Sequence, residues 1–391
     1  MNVKAVHYAF LIYYIKQISK NGKVTFNNEL KLEITHMGRY TLMMGSEAVV
    51  RGAIYAGVRF FAGYPITPAT EIAEYASNLF PRYGGVYVQG EDELASINMI
   101  IGSSIAGWKS MTATSGPGFS LMQEGIGYAV NTEVPLLIVD VQRGGPSTGQ
   151  PTLPSQQDVM QARFGSHGSY EIIALSPKNV TENFYLTVEA VNLSEKYRTP
   201  VIILMDEILA HIWEKTYIPD PGEVETLGHL KPEAQNSDGF LVEGQLHDER
   251  GYGVGADIRK SAEAVWKLVK KIRDNASNIV KIEGAFIDDN PEVVVVSYGS
   301  VSRSSLAAVK MLRKNGQKVG YLRLITLWPF EKRLIKEKMS NVKKVIFPEM
   351  NSGYYAEYFQ VMGYDVISMP KLGGEIHTPY EIYKKVEEVI Q

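Results

Sequence analysis

Thr67 stands between two prolines in the stretch Gly63-Tyr64-Pro65-Ile66-Thr67-Pro68-Ala69-Thr70-Glu71. The prolines stiffen the loop, and the apolar run 58–62 before it reads as a buried parallel strand. Thr67 ahead of Pro68 fits an N-cap followed by a first helical residue, so a helix is expected to start there. A rigid strand–loop–helix corner carrying a hydroxyl suits a small anion. A capped helix start without a ligand is the plainer reading. Three acids, Glu91, Asp92 and Glu93, precede a second helical run. One of them can hold a proton for chemistry if burial raises its pKa; otherwise all three are simply favourable first-turn charges. The residues alone do not separate Glu91 from Glu93. Arg143 follows the clearest strand of the chain, and a guanidinium fork there suits a carboxylate. The alternative is a surface arginine at a strand end. Ser115-Gly116-Pro117-Gly118 has the form of a phosphate cradle, a weak signal by itself.

These groups need elements to hold them. Between 44 and 206, strand and helix patterns alternate: a small-residue helix over 47–56, strands over 58–62, 86–89, 109–114, 134–141 and 201–205, and helices over 91–105 and 177–197. Alternation of this kind implies a mostly parallel sheet covered on both faces, with ligands at the carboxyl ends of its strands. All four groups fall at those ends. Residues 143–154, rich in glycine and proline, read as a long positioned loop. A second α/β unit is expected from 293, with strands over 293–297, 318–324, 342–347 and 364–368 and helices over 302–314, 330–339, 353–360 and 379–390. The connector is irregular apart from a helix over 261–272. Residues 1–38 read differently, as an aromatic helical stretch over 8–18, a turn at Asn21-Gly22 and a strand. They are either an extension that packs on a partner or sequence upstream of a start at Met37. The expected division is 1–38, 39–230, 231–290 and 291–391.

The totals exclude several classes. A net charge of −3 gives no support to nucleic-acid or anionic-membrane binding. The chain has no cysteine, hence no disulfide and no thiolate-held iron–sulfur cluster of its own. Its seven histidines show no metal-ligand spacing, so no metal site is expected. The apolar stretch 9–15 is short and Lys16 interrupts it, so neither a signal peptide nor a membrane span is expected, and the cytoplasm is the expected compartment.

Five segments, in order, resemble the alpha subunits of 2-oxoacid:ferredoxin oxidoreductases, most of all the 2-oxoglutarate type. They are Tyr64-Pro65-Ile66-Thr67-Pro68, Gly90-Glu91-Asp92-Glu93, Ser115-Gly116-Pro117-Gly118 with Glu124-Gly125, Gln142-Arg143-Gly144-Gly145-Pro146-Ser147-Thr148-Gly149, and His247-Asp248-Glu249-Arg250-Gly251. The likeness runs from about Gly38 to the C-terminus. Ser46 departs from it, since relatives usually carry Asn there. The resemblance implies an α/β fold: a thiamine-diphosphate pyrimidine-binding domain followed by a transketolase C-terminal-like α/β domain. It implies oxidative decarboxylation of a 2-oxoacid with coenzyme A, the electrons passing to ferredoxin. The pyrimidine side of thiamine diphosphate then belongs to Glu93, Tyr64, Pro65, Ile66, Ser115, Gly116 and Gly118, and catalysis to Glu93, Thr67 and Arg143. Mg²⁺ and a [4Fe–4S] cluster are implied for a beta subunit, and some members add gamma and delta subunits. The missing cysteines fit that division. The resemblance gives Glu93 the proton at the pyrimidine N1′, and gives Arg143 and Thr67 the oxoacid carboxylate. The helix dipole at Glu93 opposes a raised pKa, so burial is expected from the beta-subunit interface. The Ser115–Gly118 turn is expected to let backbone approach the cofactor or partner closely.

2-Oxoglutarate is the expected substrate, with Arg39, Lys109 or Arg163 as the cation for its distal carboxylate. Pyruvate and broad-specificity enzymes share every motif. A non-redox thiamine-diphosphate decarboxylase chain is usually shorter and lacks the C-terminal domain. A non-catalytic assembly subunit would not need Thr67, Glu93 and Arg143 together.

Overall fold

The computed structural model describes residues 39–229 and 242–390. The helix, turn and strand expected within 1–38 lie outside them. The described residues fall into two units. The small one runs through Thr41 and takes in Tyr217–Val224; in it the rings of Tyr40 and Tyr217 lie 5.5 Å apart.

The large unit holds Leu42–Thr216 and the described residues from Glu225 onward. Its first sheet contains β1 (Phe60–Gly63), β2 (Val86–Gln89), β3 (Ser110–Thr114), β4 (Leu136–Gly144), β5 (Gln150–Pro154), β6 (Ile173–Leu175) and β7 (Pro200–Asp206). Six of these run parallel in the order β6-β7-β4-β3-β1-β2, and β5 folds back antiparallel on β4. Every residue of β3, β4 and β7 is buried, so these strands read as unbroken runs rather than alternating ones. The strands are joined by α1 (Gly45–Tyr55), α2 (Thr70–Arg82), α3 (Glu93–Ile105), α4 (Gly116–Leu121), α5 (Val159–Phe164) and α6 (Val180–Tyr197), among others. On α3, Ile97, Ile100 and Ile101 fall on one face at helical spacing and enter the core with Ala62 and Ile138. The chain passes from β1 outward to β2 and returns to β3. That reversal between β1 and β3 opens a crevice at the carboxyl ends of the strands.

Two local expectations fail. The helix after the prolines starts at Thr70, not at Pro68, and Thr67 does not cap it. A turn intervenes, closed by the Ala69 amide on the Ile66 carbonyl at 2.7 Å, and the N-cap is Ala69. Residues 143–154 are not a loop but a hairpin of β4 and β5, with Arg143 opposite Pro154 and Gly144 opposite Gln150. Prolines 151 and 154 suit β5 because only an edge strand tolerates them. The turn needs glycine at 149, where φ is +54° and a Cβ would lie 1.8 Å from the Gly144 carbonyl oxygen.

In the second sheet β8 (Ile282–Ala285) is antiparallel, while β9 (Val293–Tyr298) and β10 (Val319–Leu324) pair in parallel. β11 (Thr326–Trp328) leaves this sheet and pairs antiparallel with β6 of the first. β12 (Lys344–Glu349) and β13 (Asp365–Pro370) complete the order β8-β10-β9-β12-β13. One hydrophobic core spans both sheets, from Ile138 and Ile202 to Val296, Leu322 and Phe347. The carboxyl ends of β9 and β12 are taken by Gln156 of the first α/β segment. Its Nε2 donates to the Tyr298 carbonyl at 3.0 Å, and its Oε1 accepts from the Met350 amide at 3.1 Å. Arg323, fully buried on β10, pairs with Glu182 of α6 and with Glu283 at 2.9 Å. The second α/β segment thus serves packing at the place where a free one would bind ligand.

The connector helix α7 (Ile258–Arg273) is tied down by Glu133, which lies 2.9 Å from both Lys267 and Lys271 and 3.8 Å from His247. Burial alone would push the Glu133 carboxyl up, but His247 and the two lysines outweigh it and hold it far below the carboxylate range. Asp248 accepts from the backbone of Arg250 and Tyr252, closing a turn. The His247–Gly251 motif is therefore a structural clamp.

Candidate active site

The four chemically promising segments meet the crevice from four strand ends: the Tyr64–Pro68 loop from β1, Glu93 after β2, Ser115–Gly118 after β3 and Arg143 near the end of β4. The three acids take three different roles. Glu91 is exposed. Asp92 is the N-cap of α3 and accepts from the Ala95 amide at 2.7 Å. Glu93 is only 4% exposed. The tie between Glu91 and Glu93 is broken by burial: Glu91 faces solvent, Asp92 caps the helix and Glu93 is enclosed beside the end of β3.

Burial pushes the Glu93 carboxyl up; its own backbone amide and Arg143 pull it down, while Asp92 adds to the rise. The expectation that a partner's interface must supply this burial is corrected: the chain does so itself, by means of Gly118. A Cβ at 118 would lie 2.3 Å from Glu93 Oε1 and 2.1 Å from Thr114 Oγ1. The glycine of this turn makes room for a carboxyl of the same chain, which no sequence signal announced. Ser115 is wholly buried and its Oγ has no partner.

Arg143 is 6% exposed. Its Nη1 donates to the Thr67 carbonyl at 2.6 Å, and its Nε is unpartnered. The bond joins the β4 end to the turn before α2, with the Thr67 side chain left exposed beside it. Burial lowers the arginine's pKa, and Asp158, Asp140 and Glu93 offset that only in part. Tyr64 is 42% exposed at the mouth, with Pro65 and Ile66 half-buried behind it.

Sequence reasoning missed Asp140 and Asp158. Asp140 lies within β4 and was hidden in an apolar run; Asp158 directly precedes α5. Burial pushes both carboxyls up, and each acts on the other. The cations proposed for a distal carboxylate are also corrected. Lys109 precedes β3, at the opposite end of the sheet, and its Nζ donates to the carbonyls of Ala56 (2.7 Å) and Leu227. Arg163 on α5 pairs with Glu171 at 3.1 Å and lies over the rings of Phe164 and Tyr170. The side chain of Arg39 lies outside the described residues.

A fold of this kind with an acid, a guanidinium and a hydroxyl-bearing loop at the crevice is that of a thiamine-diphosphate pyrimidine domain. Family comparison agrees. Residues 51–266 match the family described as pyruvate flavodoxin/ferredoxin oxidoreductase, thiamine diphosphate-binding, and residues 291–386 match pyruvate:ferredoxin oxidoreductase core domain II. The chain is 49% identical over 366 residues to the 2-oxoglutarate synthase subunit KorA of Methanothermobacter marburgensis, covering 88% of this chain and 97% of that one. Among solved structures, it is similar to the 2-oxoglutarate:ferredoxin oxidoreductase from Magnetococcus marinus solved with 2-oxoglutarate, coenzyme A and succinyl-CoA bound. The TM-score is 0.84 at 34% identity, over 90% of this chain and 65% of that one. The transketolase from Campylobacter jejuni shares the fold alone, with a TM-score of 0.51 at 12% identity over 89% of this chain and 45% of that one. The chain belongs to the 2-oxoacid:ferredoxin oxidoreductase family, as an alpha subunit.

Proposed function

We propose that the chain is the alpha subunit of a 2-oxoglutarate:ferredoxin oxidoreductase, which converts 2-oxoglutarate and coenzyme A to succinyl-CoA and CO₂ and passes two electrons to ferredoxin. The convergence of buried Glu93, Arg143 and the Thr67 turn carries this reading, and the identity to a 2-oxoglutarate synthase subunit supports the substrate. Residues 39–230 act as the pyrimidine-binding domain, 231–290 as connector and 291–391 as the transketolase C-terminal-like domain.

A buried carboxyl able to keep a proton fits the pyrimidine of thiamine diphosphate, and Glu93 has that character. When bound, the cofactor supplies the carbanion-stabilising chemistry. Glu93 holds or gives a proton at N1′. Tyr64, Pro65 and Ile66 wall the pyrimidine side, and Ser115, Gly116 and Gly118 present backbone and a free hydroxyl to it. Arg143 keeps one N–H on the Thr67 carbonyl and has the others for the oxoacid carboxylate. The Thr67 hydroxyl bonds the oxoacid's polar head. Mg²⁺ and the [4Fe–4S] cluster belong to a beta subunit, with gamma and delta subunits as further partners. Among the described residues no helix is long and apolar enough to cross a membrane.

One observation favours a second reading, a pyruvate or broad-specificity enzyme. Neither Lys109 nor Arg163 is placed to meet a distal carboxylate. On the first reading, that cation is Arg39 or comes from a partner subunit.

Arg143→Lys in the assembled enzyme tests the carboxylate role. Lysine keeps the charge but loses the fork. KM for the oxoacid is expected to rise by the equivalent of about 1.5–3 kcal/mol, with KM for coenzyme A unchanged. An equal rise in both would make Arg143 a support for the loop rather than a substrate clamp.

A further inference from the structure

The reading above gives no role to the acids on the far side of Arg143. Asp140 is completely buried and Asp158 is 9% exposed. If both were ionised, neither oxygen of Asp140 nor Oδ2 of Asp158 would have a hydrogen-bond partner. Two adjacent bare carboxylates in a dry site are too costly to persist, and a shared proton removes both problems. Burial first, and then the charge of Asp158 and a hydrogen bond between the two side chains, push the Asp140 carboxyl well up. Asp158 is held in place by its own amide, which donates to Gln142 Oε1 at 3.2 Å, and it touches the active-site turn: a Cβ on Gly116 would lie 3.7 Å from Asp158 Oδ2. The charged groups that act on the pair are its own two members and Arg143; Glu93 acts on Arg143 from α3.

We propose that Asp140 and Asp158 form a buried carboxyl pair that holds one proton in the resting enzyme and takes up a second when an oxoacid carboxylate is seated on Arg143. The inference rests on the assignment of Arg143 as the carboxylate clamp. With one proton, the pair carries a single negative charge that offsets the arginine. A substrate carboxylate replaces that offset, and the second proton then lands on Asp158, so the site stays near neutral. Asp140 and Asp158 are positioning residues: they set how much of the arginine's charge the substrate meets. The sign follows. Oxoacid binding is stronger where the pair protonates readily and weakens as pH rises from mildly acidic towards alkaline values, while coenzyme A binding is unaffected.

The test uses the assembled alpha–beta complex with thiamine diphosphate and Mg²⁺. Binding of 2-hydroxyglutarate, which keeps the carboxylate but has no ketone to react, is measured by calorimetry in two buffers of different ionisation enthalpy. The wild type is expected to take up a proton, up to about one per site, on binding. Asp158→Asn is expected to bind the same probe with that uptake lost and to flatten the pH dependence of kcat/KM for the oxoacid; Asp140→Asn, whose amide stands in for the protonated carboxyl, is expected to keep both. Glu93→Gln is expected to keep the uptake. Binding by the wild type with no uptake would overturn the proposal, as would uptake that persists in Asp158→Asn or vanishes in Asp140→Asn or Glu93→Gln. The choice of oxoacid is read from turnover and proton uptake from binding, so failure of one is distinguishable from failure of the other.

Discussion

Glu93→Gln is expected to lower turnover of the assembled enzyme by about 10²–10⁴-fold, the usual worth of a general acid–base step, while leaving assembly intact. Glutamine matches the size of glutamate and fits the same cavity beside Gly118. It cannot pass a proton to and from the pyrimidine N1′. Dye reduction by the complex with saturating oxoacid and coenzyme A measures the effect. Glu91→Gln is the control: its side chain is exposed, so its rate should stay within about twofold of wild type, in keeping with the small effects of surface substitutions. Retention of more than a tenth of the rate by Glu93→Gln would remove the role from this residue.

Gly118→Ala is expected to be nearly as damaging through a single methyl group. The added Cβ would sit 2.3 Å from Glu93 Oε1, at the free end of a flexible side chain. The carboxyl can move away, but the Cβ would also lie 2.1 Å from Oγ1 of buried Thr114 on β3, which must shift as well; the up to about 1 kcal/mol of helix propensity gained on α4 offsets part of that cost. Displacing a catalytic group by about 1 Å costs on the order of 10²-fold. The expected signature is a large fall in kcat in a complex that still assembles and unfolds cooperatively, with a modest fall in melting temperature from the Thr114 overlap. In the double variant with Glu93→Gln the two losses should not add, since both act on one carboxyl. Full additivity would mean that Gly118 serves the cofactor by its own backbone and not through Glu93.

The parallel sheet was legible because its buried strands are long apolar runs; the strand over Val86–Gln89 and the helix over Pro379–Ile390 have the expected ends. Short strands such as Ile173–Leu175 and Thr326–Trp328 were not, since three residues carry no period, and their pairing joins segments distant in sequence. The proposed site was legible in loop chemistry at Thr67 and Arg143, whereas between Glu91 and Glu93 the residues alone did not choose. What positions those groups was hidden. The start of α2 shifted because a backbone turn took the place of the side-chain cap. The reason for Gly118 lies in a residue 25 positions away, and Asp140 sits inside a strand that reads as an apolar run. Buried polar groups of this kind are defined by tertiary contacts, and these have no local signature.

The central claim, a 2-oxoglutarate enzyme whose chemistry is divided between chains, is tested most directly by kcat/KM for 2-oxoglutarate and for pyruvate. Both are measured anaerobically on the reconstituted alpha–beta complex, with the alpha chain alone as control. A site with a cation for the distal carboxylate leaves that cation unpaired when pyruvate binds, and such losses reach orders of magnitude. The account predicts no turnover by the single chain and a preference for 2-oxoglutarate of at least about 10²-fold in the complex. A clear preference for pyruvate, or turnover without a second polypeptide, would contradict it.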